Sequence, residues 1–245
     1  MKILYITPKL PYPPNSGGSI ITYNTITKLA NINTITICTF IIKKSDIKYI
    51  SYLKREGVVS IITEYNPYIT DGVRKITKFL LLFKCFFLHK PFTVSKYYKS
   101  SFKKIIQKLV KNNDFDCIWI DSLNMTEYLP DNFKGKKILE LQNIDSLFFK
   151  RMLLKDQNLF LKLFALHEWL KYEIYERKNL SKFNEVITVS NFDKNVLLSK
   201  YENLNVFVSR PKITSFKKIK KSETNNKILL FPGSLKWYPN RDGML

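Results

Sequence analysis

The chain has 245 residues and a net charge of +21, from 41 basic and 20 acidic side chains; 45% of its residues are hydrophobic and 14% aromatic. That is ample for one large or two small packed domains, and it excludes a disordered chain. Thirty-five basic residues are Lys and six are Arg. This balance speaks against sequence-specific nucleic-acid recognition, which favours the planar Arg fork, and suits anionic lipid headgroups or anionic substrates.

Lys2 to Thr7 reads as a buried strand, Pro8 to Gly18 as a proline-rich loop, and Ser19 to Ala30 as a helix. Four of the 10 prolines lie in that loop, so its path is largely fixed in advance. Gly17-Gly18 has two readings. It turns the chain from strand to helix, or it lets an anion approach the unpaired amides of the first helical turn. The pattern is neither G-x-G-x-x-G nor G-x-x-x-x-G-K-[ST].

Thr34 to Ile42 is a second strand, Asp46 to Arg55 a short helix stopped by Gly57, and Val58 to Thr63 a third strand. The order β-α-β-α-β, with continuous apolar strands, predicts an α/β fold: a Rossmann-like parallel sheet with helices on both faces. Asp71 to His89 reads as a basic, apolar helix, with Phe79 and Phe83 set against Arg74, Lys75 and Lys78. It either packs on the sheet with its lysines in water or dips into a membrane surface. Its longest apolar run, Phe79 to Leu88, is interrupted by Lys84 and is too short to span a bilayer. Ser95 to Asn112 is a further helix, with Phe102, Ile105, Ile106, Leu109 and Val110 on one face.

Phe115 to Asp121 and Lys136 to Leu141 are the fourth and fifth strands. Gln142, Asn143 and Asp145 follow the carboxyl end of the fifth, where open α/β sheets bind ligands; alternatively Asn143 or Asp145 caps the next helix. Ser146 to Lys182 is helical with a break near Asp156-Gln157-Asn158. Leu159, Leu163, Leu166, Leu170 and Ile174 recur as its apolar face, thickened by Trp169, Tyr172 and Tyr175. His167 beside Glu168 reads as structural rather than catalytic, and Glu173, Glu176 and Arg177 as surface chemistry. Asn184 to Ser190 is the sixth strand, Asn191 to Lys200 a helix capped by Ser190 or Asn191, and Val206 to Val208 the seventh strand.

From Ser209 to Asn226 the chain is polar and Lys-rich without apolar period. The expected organisation is therefore a domain over 1–210, a linker over 211–226, and the start of an incomplete second domain over 227–245, with a strand followed by Gly233 and Ser234. Cys38, Cys85 and Cys117 sit scattered in apolar runs, as buried thiols in a reducing cytoplasm do. His89 and His167 have no metal-ligand spacing, so no metal is expected. Met1 leads straight into a strand, so no signal peptide is expected. The expected location is cytoplasmic, peripheral on the inner face of the plasma membrane.

Several blocks together resemble the N-terminal half of bacterial glycosyltransferases of the two-domain GT-B fold, the group 1 (family four) kind of capsule, lipopolysaccharide and exopolysaccharide synthesis. They are Ile3 to Gly18, Pro91-Phe92-Thr93-Val94, Tyr97-Tyr98, Leu141 to Ser146, Tyr175-Glu176, Val186 to Ser190, and Pro232 to Asn240. The resemblance implies an acceptor-side domain facing a nucleotide-sugar-binding domain of which only the first strand is present. It implies retention at the anomeric carbon, a glycan or lipid-linked acceptor, no cofactor and no metal. Gly17, Gly18 and Asn15 would then face the donor diphosphate, Gln142, Asn143 and Asp145 would line the acceptor side, and Ser190 would close the cleft floor. The family often has His where this chain has Gln142, and Gln cannot titrate. The family's donor-site glutamates are absent, so the fragment alone is expected to be inactive. From residues alone, the competing reading is a basic membrane-surface or lipid-acceptor binding module without catalysis.

Overall fold

A computed structural model describes residues 1–66 and 89–211, together with Phe231, Gly233, Asn240 and Met244. The chain divides into two compact units, Met1–Pro211 and Lys212–Leu245. The expected helix bearing Arg74, Lys75, Lys78, Phe79 and Phe83 lies outside the described residues, as do Cys85, Ser234 and nearly all of the expected linker.

The first unit is a seven-stranded, wholly parallel sheet in the order β3-β2-β1-β4-β5-β6-β7. Its strands are β1 (Lys2–Thr7), β2 (Thr34–Ile41), β3 (Ser60–Tyr65), β4 (Cys117–Asp121), β5 (Lys136–Leu141), β6 (Glu185–Thr188) and β7 (Val206–Val208). The helices are α1 (Gly17–Ala30), α2 (Ile50–Arg55), α3 (Phe92–Tyr97), α4 (Ser100–Asn112), α5 (Asp145–Lys155), α6 (Leu159–Leu180) and α7 (Asn191–Lys200). Side chains alternate across the strands, so each strand feeds two cores. Tyr5, Ile35 and Ile37 pack beneath Ile26 of α1 and Leu53 of α2. Leu4, Ile6, Phe40, Ile118, Ile120 and Leu139 pack on the other side with Phe102 and Ile106 of α4 and Tyr172 of α6. This is the doubly wound α/β architecture that the strand order predicts.

Several boundaries differ from the sequence reading. α1 begins at Gly17, not Ser19, because Ser16 caps it and Ser19 reciprocates through its hydroxyl. β3 runs two residues later than Val58 to Thr63, because Gly57, at φ +89°, turns the chain and Val58 is drawn into the α2-side core. The helix expected over Ser95 to Asn112 is two helices, broken at Tyr98-Lys99. There the Tyr128 hydroxyl donates to the Tyr97 carbonyl and accepts the Lys99 N–H, both at 2.7 Å. β4 begins at Cys117, not Phe115, and is followed by a 3-10 turn, Leu123–Tyr128, that the sequence did not announce. The break before α6 is where it was expected: the Asn158 side chain accepts from the Phe160 and Leu161 N–H groups.

The leucine row of α6 faces outward, and Tyr172 and Tyr175, read as thickening the same face, lie inward. Leu159, Phe160, Leu163, Leu170 and Ile174 are exposed, while Ala165, Glu168, Lys171, Tyr172, Tyr175, Glu176 and Asn179 are buried. Two buried glutamates explain this. Glu168 accepts the Phe92 N–H of α3 at 2.6 Å, and Glu176 accepts the Ser146 N–H of α5 at 2.9 Å and its hydroxyl at 2.6 Å. Each satisfies an orphan donor at a helix N-terminus, where the helix dipole favours an anion. Glu176 is thus structural and interior, not surface chemistry. His167 Nδ1 lies 3.7 Å from the Glu168 carboxylate.

Gly57 gives the first prediction. A Cβ there would meet nothing closer than the Ala30 Cβ at 3.4 Å, an ordinary contact, so the positive φ alone sets the cost. Gly57→Ala should lower unfolding free energy by about 1–2 kcal/mol in urea titration. An unchanged midpoint would show that the turn relaxes freely.

Candidate functional site

β1, β2 and β3 step to one side of the sheet, and β4 returns to the other side of β1. The crevice beyond the carboxyl ends of β1 and β4 is therefore the topological switch point, where open α/β sheets take their ligands. The loop leading to it is held by packing. Leu10 N–H donates to the Phe40 carbonyl at 3.2 Å, and Tyr12 stacks on Tyr52 with centroids 4.7 Å apart.

Four elements meet in the crevice through one carboxyl group. Asp121, the last residue of β4, is buried. Its Oδ2 accepts from Thr7 at the end of β1 (2.9 Å) and from Thr22 of α1 (2.7 Å). Its Oδ1 accepts from Nε2 of Gln142, just past β5, at 3.0 Å. Gln142 Nε2 also lies 3.1 Å from Thr22 Oγ1. A carboxylate can only accept, so it fixes which way the Gln142 amide points: Nε2 inward, Oε1 outward. Oε1 lies over Gly18, 2.6 Å from where a Cβ on that residue would stand. Gly18 is thus small in order to admit Gln142. Gly17 has nothing within 4 Å of its would-be Cβ and is exposed. Of the two glycines, Gly17 is the one open to a ligand.

Glu140 stands beside Asp121 in register across β4 and β5. Its Oε2 accepts from Tyr5 and Trp119, both at 2.9 Å, and its Oε1 from Thr25 of α1 at 3.1 Å. No cation among the described residues neutralises either carboxyl. Burial raises Asp121 above the usual carboxylate range, against the pull of its three donors. Burial, followed by the neighbouring Asp121, pushes Glu140 up to about 7.

The remaining sequence candidates lie along the same edge of the sheet but not in this cluster. Asn15 and Asn143 are exposed. Asp145 is in the first turn of α5 without capping it, and burial followed by Glu176 pushes its carboxyl up to about 7. The expected capping role of Asn143 or Asp145 belongs instead to Glu176. Ser190 is the N-cap of α7: its hydroxyl accepts the Asp193 N–H at 3.1 Å and lies 2.6 Å from the Asp193 carboxylate. In the second unit, a Cβ on Gly233 would come within 2.7 Å of the Phe231 ring and 2.8 Å of the Asn240 amide, so close packing already requires the glycine. Thr7, Thr22, Asp121 and Glu140 were missed. The legible signal was an acidic residue ending β4 and another one residue before the end of β5, each interrupting an apolar strand.

Among the described residues no group of three or more His, Cys, Asp or Glu is placed to hold a metal ion, and no helix is long and apolar enough to cross a membrane. Burial pushes the Cys38 thiol up to about 12 and Cys117 up to about 11, which leaves both poor nucleophiles.

Strand order, helix placement and the polar crevice define a doubly wound, Rossmann-like α/β domain. No family model matches the chain, and no curated protein matches it. Among solved structures it is similar to Arabidopsis thaliana UGT89C1 complexed with UDP, at 14% identity and a TM-score of 0.48, covering 87% of this chain and 53% of that one. It is also similar to a UDP-glucosyltransferase from Polygonum tinctorium capable of glucosylating indoxyl, at 12% identity and a TM-score of 0.47, covering 89% and 54%. Phytolacca americana apo UGT2 matches at 11% identity and a TM-score of 0.47, covering 88% and 53%. The likeness is one of fold, and the chain spans about half the length of each.

Two predictions follow from the carboxyl cluster. Folding raises Glu140 above its ordinary 4.5, so the stability it contributes is full below that value and is lost as pH rises to about 7. Unfolding free energy should fall by on the order of 2 kcal/mol across this window, and Glu140→Gln should flatten the slope. Asp145 leaves a residual slope in the same range. An unaltered slope in Glu140→Gln would contradict the assignment.

The second prediction concerns Gly18. Gly18→Ala must push Gln142 off Asp121, costing about 1–2 kcal/mol in spite of a better helix former. In a Gln142→Ala background the same change should stabilise by up to about 1 kcal/mol. Additive effects in the cycle would sink the claim that Gly18 exists for Gln142.

Proposed function

We propose that the chain is the acceptor-side part of a glycosyltransferase. It takes part in moving a sugar from a nucleotide-sugar donor to a glycan or lipid-linked acceptor, with retention at the anomeric carbon. The observation that carries this reading is the Asp121-oriented Gln142 amide beside the open Gly17 at the switch point between β1 and β4. The sequence blocks shared with the GT-B group add to it.

The residues divide the work as follows. Gln142 Oε1 offers lone pairs to a sugar hydroxyl, and a hydroxyl so held presents its own oxygen to the donor. Asp121 is buried beneath and touches no ligand; it is a positioning residue that keeps the amide from turning over. Among the described residues the Gly17 and Gly18 N–H groups donate to nothing, so the first turn of α1 faces the crevice with two unused donors suited to phosphate oxygens. In the reaction, the acceptor oxygen bonds to the anomeric carbon and the bond from that carbon to the diphosphate breaks. The leaving nucleoside diphosphate carries away the electron pair and takes the acceptor proton. Gln142 does not titrate, so it is a hydrogen-bonding group and not a base.

Saturation-transfer NMR on the chain, with a panel of aryl glycosides and prenyl-diphosphate-linked sugars, tests this reading. Saturation should pass to sugar ring protons for at least one compound, and fall about fivefold or more in both Gln142→Ala and Asp121→Asn. Absence of sugar binding across the panel, or binding unchanged in both variants, would overturn it.

A further inference from the structure

Ser122, the residue after β4, has a strained backbone. Its φ of +82° with ψ of 136° lies where glycine alone is unstrained. Asn203, the other non-glycine residue of positive φ among the described residues, has the left-handed value of +63° that asparagine tolerates. The Ser122 N–H still donates to the Glu140 carbonyl at 2.8 Å, so Ser122 stands at the carboxyl edge of the sheet, beside Asp121 and at the same switch point. A glycine here would remove the strain and lose only the hydroxymethyl group. The hydroxyl is therefore what the strain is retained for.

The bonds to that hydroxyl define what it can do. Ser122 Oγ accepts twice from Asn124, from the backbone N–H at 3.3 Å and from Nδ2 at 3.2 Å. The second bond has its direction set from the core. The buried Tyr172 hydroxyl donates to Asn124 Oδ1 at 2.7 Å, and the Thr93 side chain donates to that same hydroxyl. Turning the Asn124 amide over would leave the Tyr172 proton buried without an acceptor, a cost the observed orientation avoids. With both lone pairs occupied, the Ser122 O–H is left to donate, and among the described residues it has no acceptor. Capping of the turn Leu123–Tyr128 accounts for the accepting side alone. Ser122 is only half-buried, so a ligand at the carboxyl edge can reach its proton.

Asp121 pairs with Glu140 in the register of β4 and β5, which puts Ser122 and Gln142 on neighbouring strands with Cα atoms roughly 6 Å apart. Asp121 turns Gln142 Oε1 outward as an acceptor, and Tyr172, through Asn124, leaves Ser122 a donor. One sugar can answer both, since each of its hydroxyls donates and accepts. We propose that Ser122 determines acceptor specificity: it donates its proton to one hydroxyl oxygen of the sugar while Gln142 accepts from another hydroxyl of that sugar. The site then takes a sugar with two free hydroxyls on one edge and rejects one that is deoxy at either position. This rests on the sugar-transfer reading and names the substrate class for it.

Ligand-observed NMR titration of the full chain tests it, with an aryl glucoside, an aryl galactoside and the monodeoxy and deoxyfluoro analogues of each. In the parent, binding should weaken about five- to tenfold when the hydroxyl held by Ser122 is removed, and fluorine there, a weak acceptor, should recover part of the loss. At the position held by Gln142 fluorine should recover nothing, because it brings no proton. Ser122→Gly, unstrained at this backbone, should keep the fold, lose the preference at the first position and retain it at the second. Tyr172→Phe, which frees the Asn124 amide while leaving Ser122 in place, should reduce the same preference. A parent-like deoxy profile in both variants would overturn the proposal and leave the sugar-binding reading standing. Binding of neither glycoside by the parent would overturn both.

Discussion

Two carboxyl groups stand side by side at the carboxyl edge of a parallel sheet, each surrounded by donors and, among the described residues, neither matched by a cation. Removing a carboxylate from water is costly unless hydrogen bonds replace the lost hydration. For Asp121 and Glu140 those bonds come from β1, β4, α1 and the residue after β5. This requirement sets much else. It docks α1 by Thr22 and Thr25, fixes the Gln142 amide, and demands a residue without a Cβ at position 18. The crevice geometry is thus a consequence of satisfying two buried acids. The same cluster is where breaking one bond leaves the most expensive remainder.

A second use of acidic groups organises the opposite face. Glu168 and Glu176 reach inward from α6 to the N-termini of α3 and α5. A helix whose polar groups serve neighbouring helix ends has fewer apolar residues to bury, and the leucines of α6 are left outward. The inward polar contacts and the outward leucines are two results of one orientation. Lys200 strengthens it, reaching both Ser146 and Glu173.

The sequence made the sheet legible because its strands are short, mostly apolar runs, as strands buried on both faces of a parallel sheet must be. β1 and β5 were read to the residue, and the hinge at Asn158 was visible as a polar capping residue between apolar turns. What was not legible depends on partners distant in the chain. The break at Tyr98-Lys99 is made by a hydroxyl from Tyr128, which no local pattern announces. Periodicity located the apolar row of α6 but not its direction, because the sign was set by two glutamates whose partners lie on other elements. Gly17-Gly18 was readable as a special place next to a helix start. That one glycine is spent on a side chain 124 residues away could be seen only in three dimensions.

The central claim is that the crevice between β1 and β4, walled by Gly17 and the Gln142 amide, is where ligand binds. Amide-resolved NMR tests it most directly, by titrating the ¹⁵N-labelled chain with a prenyl-diphosphate-linked sugar. The account predicts that the backbone resonances of Gly17 and Gly18 and the side-chain amide of Gln142 move together and saturate together, while those of β3 and β7 stay in place. Saturable shifts confined to another part of the sheet, with these three unmoved, would contradict it.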